Sequence, residues 1–119
     1  SKYRQDLLDI YRRLNAECLA HLERWGVSQT QIEKLYDSRF YMYEKVLRNT
    51  MRAPNMSRRE KRKWNSTFMR SKEFQEALNT RKCFVHPLYL SAYRSGSFIN
   101  VLLADFLCKA KNALMFRRD

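Results

Sequence analysis

Apolar side chains recur every three or four residues along most of the chain, which is the spacing of one face of an α-helix. The first run covers residues 3–25, and its apolar positions are Tyr3, Leu7, Leu8, Tyr11, Leu14, Cys18, Leu22 and Trp25. A second run covers residues 29–52, after a short link at Gly26. Glycine favours helix ends, and a short link joins neighbouring helices. The pattern therefore predicts a long antiparallel helical hairpin.

Helix-capping residues divide the rest of the chain into shorter helices. Ser57 with Glu60 has the spacing of a capping box, which predicts a helix start there, as Ser28 with Gln31 does for the second helix. Ser71 is a further candidate N-cap. The last apolar run follows residue 97 and spreads around too much of the helix for a single buried face. We expect that helix to be central to the core or to dock on something outside this chain.

These elements predict an all-α fold of five or six helices, led by the hairpin, with the last helix in or against its groove. The 119 residues fit one helical domain, residues 1–119, and two glycines and two prolines are too few for a turn-rich β protein. The chain begins with Ser1 and enters a helical pattern at once. We therefore expect a fragment of a longer protein, whose missing neighbour holds the chemistry.

Positive charge is concentrated in the middle of the chain. The net charge is +12, and residues 48–82 hold eleven cations against three acids. The densest stretch opens the helix after Ser57, where cations oppose the helix macrodipole, so we expect a role other than helix stability. The candidate residues for binding an anionic surface are Arg58, Arg59, Lys61, Arg62, Lys63 and Trp64. The alternative is a solvated face that only keeps the protein soluble.

Catalytic and metal-binding patterns do not stand out. His21 and His86 lie far apart, so we assign no catalytic residue, no metal ligand and no cofactor to this chain. Asp105 is expected to be hydrogen-bonded or near an edge of the apolar helix, or otherwise to pair with a cation of the basic region. No apolar run approaches the roughly 20 residues that span a bilayer.

The chain has three cysteines, Cys18, Cys83 and Cys108. An odd number of widely spaced cysteines predicts reduced core thiols in a cytosolic compartment.

The order of these elements also has a counterpart in a known family. The features that carry the likeness are the opening face with its Gly26 stop, Arg39, Phe40 and Tyr43 in the second helix, the basic segment ending in Trp64, the Ser71, Phe74 and Leu78 turn, and a closing apolar helix with Lys109 and Lys111. Together they resemble the helical region that follows the catalytic domain in bacterial family 2 (GT-A) glycosyltransferases, especially those of cell-surface polysaccharide pathways. The likeness covers nearly the whole chain.

The resemblance implies a parent enzyme that transfers sugar from a nucleotide-sugar donor, with a divalent metal, to a cell-surface glycan acceptor. The metal-binding Asp-X-Asp motif of that family would lie in the upstream domain, and none occurs here. No catalytic residue is therefore carried over. This part would support the acceptor side or the membrane surface, at the cytoplasmic face of the inner membrane. Its partners would be the upstream catalytic domain and an anionic membrane.

Two other functions fit the same sequence. A basic helical nucleic-acid-binding module would contact phosphates through residues 58–63 and stack a base on Trp64. Against it, no residues suited to base edges occur in a helix-turn-helix pattern. A helical protein-interaction domain is the third hypothesis.

Overall fold

The computed structural model describes residues 3–26 and 28–118, with side chains up to residue 115. The described residues form six helices and no strand, which confirms the predicted all-α class. The helices are α1 (Leu7–Trp25), α2 (Gln29–Thr50), α3 (Arg58–Met69), α4 (Lys72–Thr80), α5 (Pro87–Ser95) and α6 (Phe98–Arg118).

The helix starts lie where the capping residues predicted them. Ser28 Oγ accepts from the Gln31 amide at 3.3 Å, and Gln31 Oε1 accepts from the Ser28 amide at 3.2 Å, so this capping box is complete. At Ser57 only the first half forms: its Oγ accepts from the Glu60 amide at 3.1 Å. Ser71 caps α4 in the same way. Local side-chain hydrogen bonds therefore set these boundaries.

The first helix starts later than predicted, at Leu7 instead of residue 3. The reason is a long-range contact. Arg4 donates its backbone N–H to Asn49 Oδ1 at 2.8 Å, and its carbonyl accepts from Asn49 Nδ2 at 2.7 Å. This pairing holds the backbone of Arg4 against Asn49 and ties the beginning of α1 to the end of α2.

An aromatic core joins α2, α4 and α5. Phe40, Phe74 and Tyr93 are fully or almost fully buried, and the Phe40 and Tyr93 rings meet edge to face with centroids 5.8 Å apart. Phe98 and Val101 extend this core into α6. The main neighbours of α6 are α5 and α3. The groove of the predicted hairpin is therefore not its main packing site, although Asp105 of α6 pairs with Arg48 of α2.

The cysteine prediction is only partly correct. All three cysteines are free thiols, but Cys18 is exposed on α1, and Cys83 and Cys108 are only half-buried. None is therefore a core residue. Cys18 lies on the second half of α1, where the helix leaves the core and Leu19 and Trp25 are exposed as well.

Candidate anionic-surface site

The rotation of α3 is fixed by its buried face. Asn65 is fully buried and donates from Nδ2 to the carbonyl of Leu47 on α2 at 3.0 Å. One turn on, Phe68 packs edge to face against Tyr43 with ring centroids 5.3 Å apart. Because residues three apart share a face of a helix, these contacts turn the opposite face of α3 outward.

The structure divides the predicted cation cluster into two groups. Arg58, Arg59 and Lys63 are exposed, whereas Lys61 and Arg62 are half-buried. Within the described part of the chain, no side-chain hydrogen bond or ion pair engages the three exposed cations. Arg59 and Lys63 lie toward the outward side of α3, whereas Arg58, seven residues before Asn65, is exposed because it is the first residue of the helix. We call these three residues the α3 basic face.

Lys61 has a structural contact instead. Its Nζ donates to the carbonyl of Met51, the C-cap residue of α2, at 3.0 Å. The last carbonyls of a helix lack intrahelical donors and lie at the negative end of its dipole, so a lysine there is stabilising. Lys61 therefore links α3 to α2. Sequence spacing did not reveal this role, because the acceptor belongs to the preceding helix.

Trp64 lies at the edge of the α3 basic face. Its side chain is 39% exposed, and its ring lies against Phe68 with centroids 5.6 Å apart. The exposed ring borders an open groove of about 590 Å³ between α1, α3 and the start of α4. The groove is lined by Leu8, Arg12, Met56, Glu60, Lys63, Trp64, Thr67, Phe68, Ser71 and Glu73.

On the α4 side of this groove, the charge of Glu73 is already paired within the protein. Glu73 accepts hydrogen bonds from Arg12 and, at 2.9 Å, from the Tyr43 hydroxyl. Burial alone raises the pKa of Glu73, but the bonds from Arg12 and Tyr43 outweigh it and hold the pKa below its ordinary value. Burial and the Glu73 carboxylate raise the pKa of Tyr43 to about 12. The charged groups still open at the groove are Lys63 and Glu60.

The sequence did not predict that residues of α1 line this groove. Lys63 and Thr67 could have been placed together from their spacing of four residues on α3. Leu8 and Arg12 enter the groove only because α1 folds against α2 and reaches Glu73 on α4. No local signal in the sequence specifies that approach.

The described residues offer neither a candidate metal site nor a candidate membrane span. Among them, no group of three or more histidine, cysteine, aspartate or glutamate side chains could hold a metal ion. No helix of residues 3–26 and 28–118 combines the length and the hydropathy needed to cross a bilayer. In comparisons with known proteins, no family model, no curated protein and no solved structure matches the chain.

Proposed function

We propose that this chain is a non-catalytic, C-terminal helical domain of a glycosyltransferase that transfers sugar from a nucleotide-sugar donor to a cell-surface glycan acceptor. In this proposal the α3 basic face binds the anionic membrane surface at the cytoplasmic side, where the acceptor is held. The observation that carries the membrane role is the exposure of Arg58, Arg59 and Lys63 without acidic partners in the described structure. The resemblance in the order of elements supports the parent enzyme.

The energetics favour a contact of this kind. A cation near an anionic membrane surface contributes about 1 kcal/mol, so three contribute about 3 kcal/mol as an upper figure. Screening at physiological salt limits this attraction to about 8 Å. Arg58 and Arg59 cost α3 a few tenths of a kcal/mol each by opposing its dipole. Anionic head groups beside the first turn would remove that cost.

Cosedimentation with vesicles tests the α3 basic face. The test variant carries Arg58→Gln, Arg59→Gln and Lys63→Gln, and the control carries Arg13→Gln, Arg24→Gln and Lys45→Gln, which remove the same charge from exposed positions elsewhere. We expect the α3 variant to bind vesicles containing phosphatidylglycerol at least roughly tenfold more weakly than the wild type. The control variant should lose much less affinity for these vesicles.

Equal weakening of both variants would show that only net charge matters and would refute a site on α3. The parent enzyme has a separate test in the coding region upstream of Ser1. An upstream segment without alternating strands and helices, or without an Asp-X-Asp pair, would contradict it.

A nucleic-acid-binding module is the second candidate. The observation that favours it is the exposed ring of Trp64 directly after Lys63, since aromatic rings next to cations stack on bases. The affinity of the protein for a single-stranded oligonucleotide, measured at increasing salt concentration, decides this case. Binding that falls steeply with salt and weakens in Trp64→Ala supports the module, and no binding at low salt removes it.

A further inference from the structure

Helix α6 has two apolar faces, and only one of them is in the core. Phe98, Val101 and Ala104 are buried. Six large apolar side chains of the described part of α6 are 49% to 68% exposed, and all but Met115 lie on the other side: Ile99, Leu103, Phe106, Leu107 and Leu114. We call these five residues the α6 outer stripe. The sequence predicted apolar residues all around this helix, and the structure shows which of them remain uncovered.

The outer stripe is framed by two lysines. At about 100° per residue, the stripe covers roughly 100° of the helix circumference. Lys109 falls beyond one edge of the stripe and Lys111 beyond the other, and both side chains are exposed. An apolar band between lysines, whose stems can lie along apolar surface while the ammonium groups stay in water, is typical of a helix at a membrane interface.

No acid interrupts this face. The only acid of α6 is Asp105, and it points to the protein side. Arg48 of α2 donates to its two carboxylate oxygens at 2.7 and 3.0 Å, and the Tyr89 hydroxyl of α5 donates to it as well. The outward-facing charges of the described part of α6 are therefore positive.

We propose that α6 lies parallel to the plane of an anionic lipid bilayer, with the outer stripe among the acyl chains and Lys109 and Lys111 at the head groups. Charge complementarity selects this occupant. A second copy would bring four lysines together and would join two molecules that each carry +12. The proposal rests on a different helix from the α3 basic face, and the two surfaces are separable by mutation.

The test measures binding to phosphatidylcholine vesicles with and without phosphatidylglycerol. Leu103→Ser with Phe106→Ser removes the centre of the stripe. Phe84→Ser with Leu88→Ser is the matched control, because those two side chains are also exposed but lie outside α6. All four positions are exposed, so we expect the helical circular dichroism signal and the melting temperature to stay unchanged.

We expect the stripe variant to bind anionic vesicles roughly tenfold or more weakly than the wild type, and the control to bind as the wild type does. Equal binding by the stripe variant and the wild type would overturn the proposal, as would equal wild-type binding to both kinds of vesicle or no binding at low salt. A wild-type dimer in solution that is lost in the stripe variant would assign the stripe to a second copy. If only the α3 variant loses binding to anionic vesicles, the result supports the proposed function and refutes the role of α6.

Discussion

Two half-buried acids in this protein have pKa values shifted in opposite directions. Burial alone raises the pKa of Asp105, but the hydrogen bonds from Arg48 and Tyr89 outweigh it, and the pKa falls below its ordinary value of 3.8. For Glu44, burial prevails over the hydrogen bond from the Tyr93 hydroxyl, and the pKa lies above its ordinary value of 4.5. The two carboxylates therefore contribute to stability in different pH ranges.

Asp105 stabilises the folded state above its unfolded pKa, and that contribution is lost as the pH falls through the folded pKa. We expect Asp105→Asn to lower the free energy of unfolding at pH 7 by about 1 to 2 kcal/mol, because Arg48 loses its charged partner. The difference from the wild type should shrink below pH 3.8. Urea denaturation across this pH range measures it.

Glu44 serves as the comparison, because its raised pKa has the opposite consequence. Its contribution is full below the unfolded pKa of 4.5 and is lost as the pH rises through the folded pKa. Glu44→Gln keeps an acceptor for Tyr93 and should be at least as stable as the wild type at pH 7. Equal losses in Glu44→Gln and Asp105→Asn at every pH would contradict this account.

At the scale of elements, the end of α5 depends on one glycine. Gly96 has a φ of 70° in the left-handed region, and a Cβ there would collide with Cγ of Arg70, whose Nη1 also donates to the Gly96 carbonyl at 3.3 Å. Gly26, with a φ of 65°, has no neighbour in the corresponding space. We expect Gly96→Ala to cost about 1 to 2 kcal/mol from its left-handed backbone and at least about 1 kcal/mol more from the collision with Arg70, whereas Gly26→Ala, at φ 65° and ψ 121°, meets backbone strain alone. Thermal denaturation measures both losses; a loss at Gly96 of no more than about 2 kcal/mol would show that the Arg70 contact yields without cost.

The sequence predicted the features that local chemistry controls. Ser57 and Gly26 mark helix ends because the side chain of one and the backbone freedom of the other act within a few residues. The start of α1 and the role of Lys61 escaped prediction, since both depend on carbonyl or amide partners in α2. The periodicity of α6 showed that it is apolar on several sides. Only packing against α3 and α5 decides that Phe106 faces outward.

The whole molecule is elongated. Its radius of gyration is 16.3 Å, whereas a compact domain of 119 residues has about 13 to 14 Å. The second half of α1 contributes to this shape, because α1 has no fully buried residue and Trp25 at its end is 69% exposed. An elongated domain offers more surface to a membrane or to a neighbouring domain than a compact one.

Several acids among the described residues have internal partners. Glu73 pairs with Arg12, Asp105 with Arg48, and Asp37 accepts from two backbone amides of the connector between α4 and α5. The excess of cations is therefore left at the surface, where it attracts anions. The α3 basic face and the lysines of α6 are the parts of that surface for which we propose an anionic bilayer.

The most direct test of this account measures Trp64 fluorescence during binding. Trp25→Phe leaves Trp64 as the only tryptophan, and the exposure of Trp25 makes the replacement tolerable. If the α3 basic face meets an anionic bilayer, adding vesicles with phosphatidylglycerol should shift the Trp64 emission to shorter wavelength, and brominated lipid should quench it. Phosphatidylcholine vesicles should do neither. Protein that sediments with anionic vesicles while its Trp64 emission stays unchanged would contradict the account.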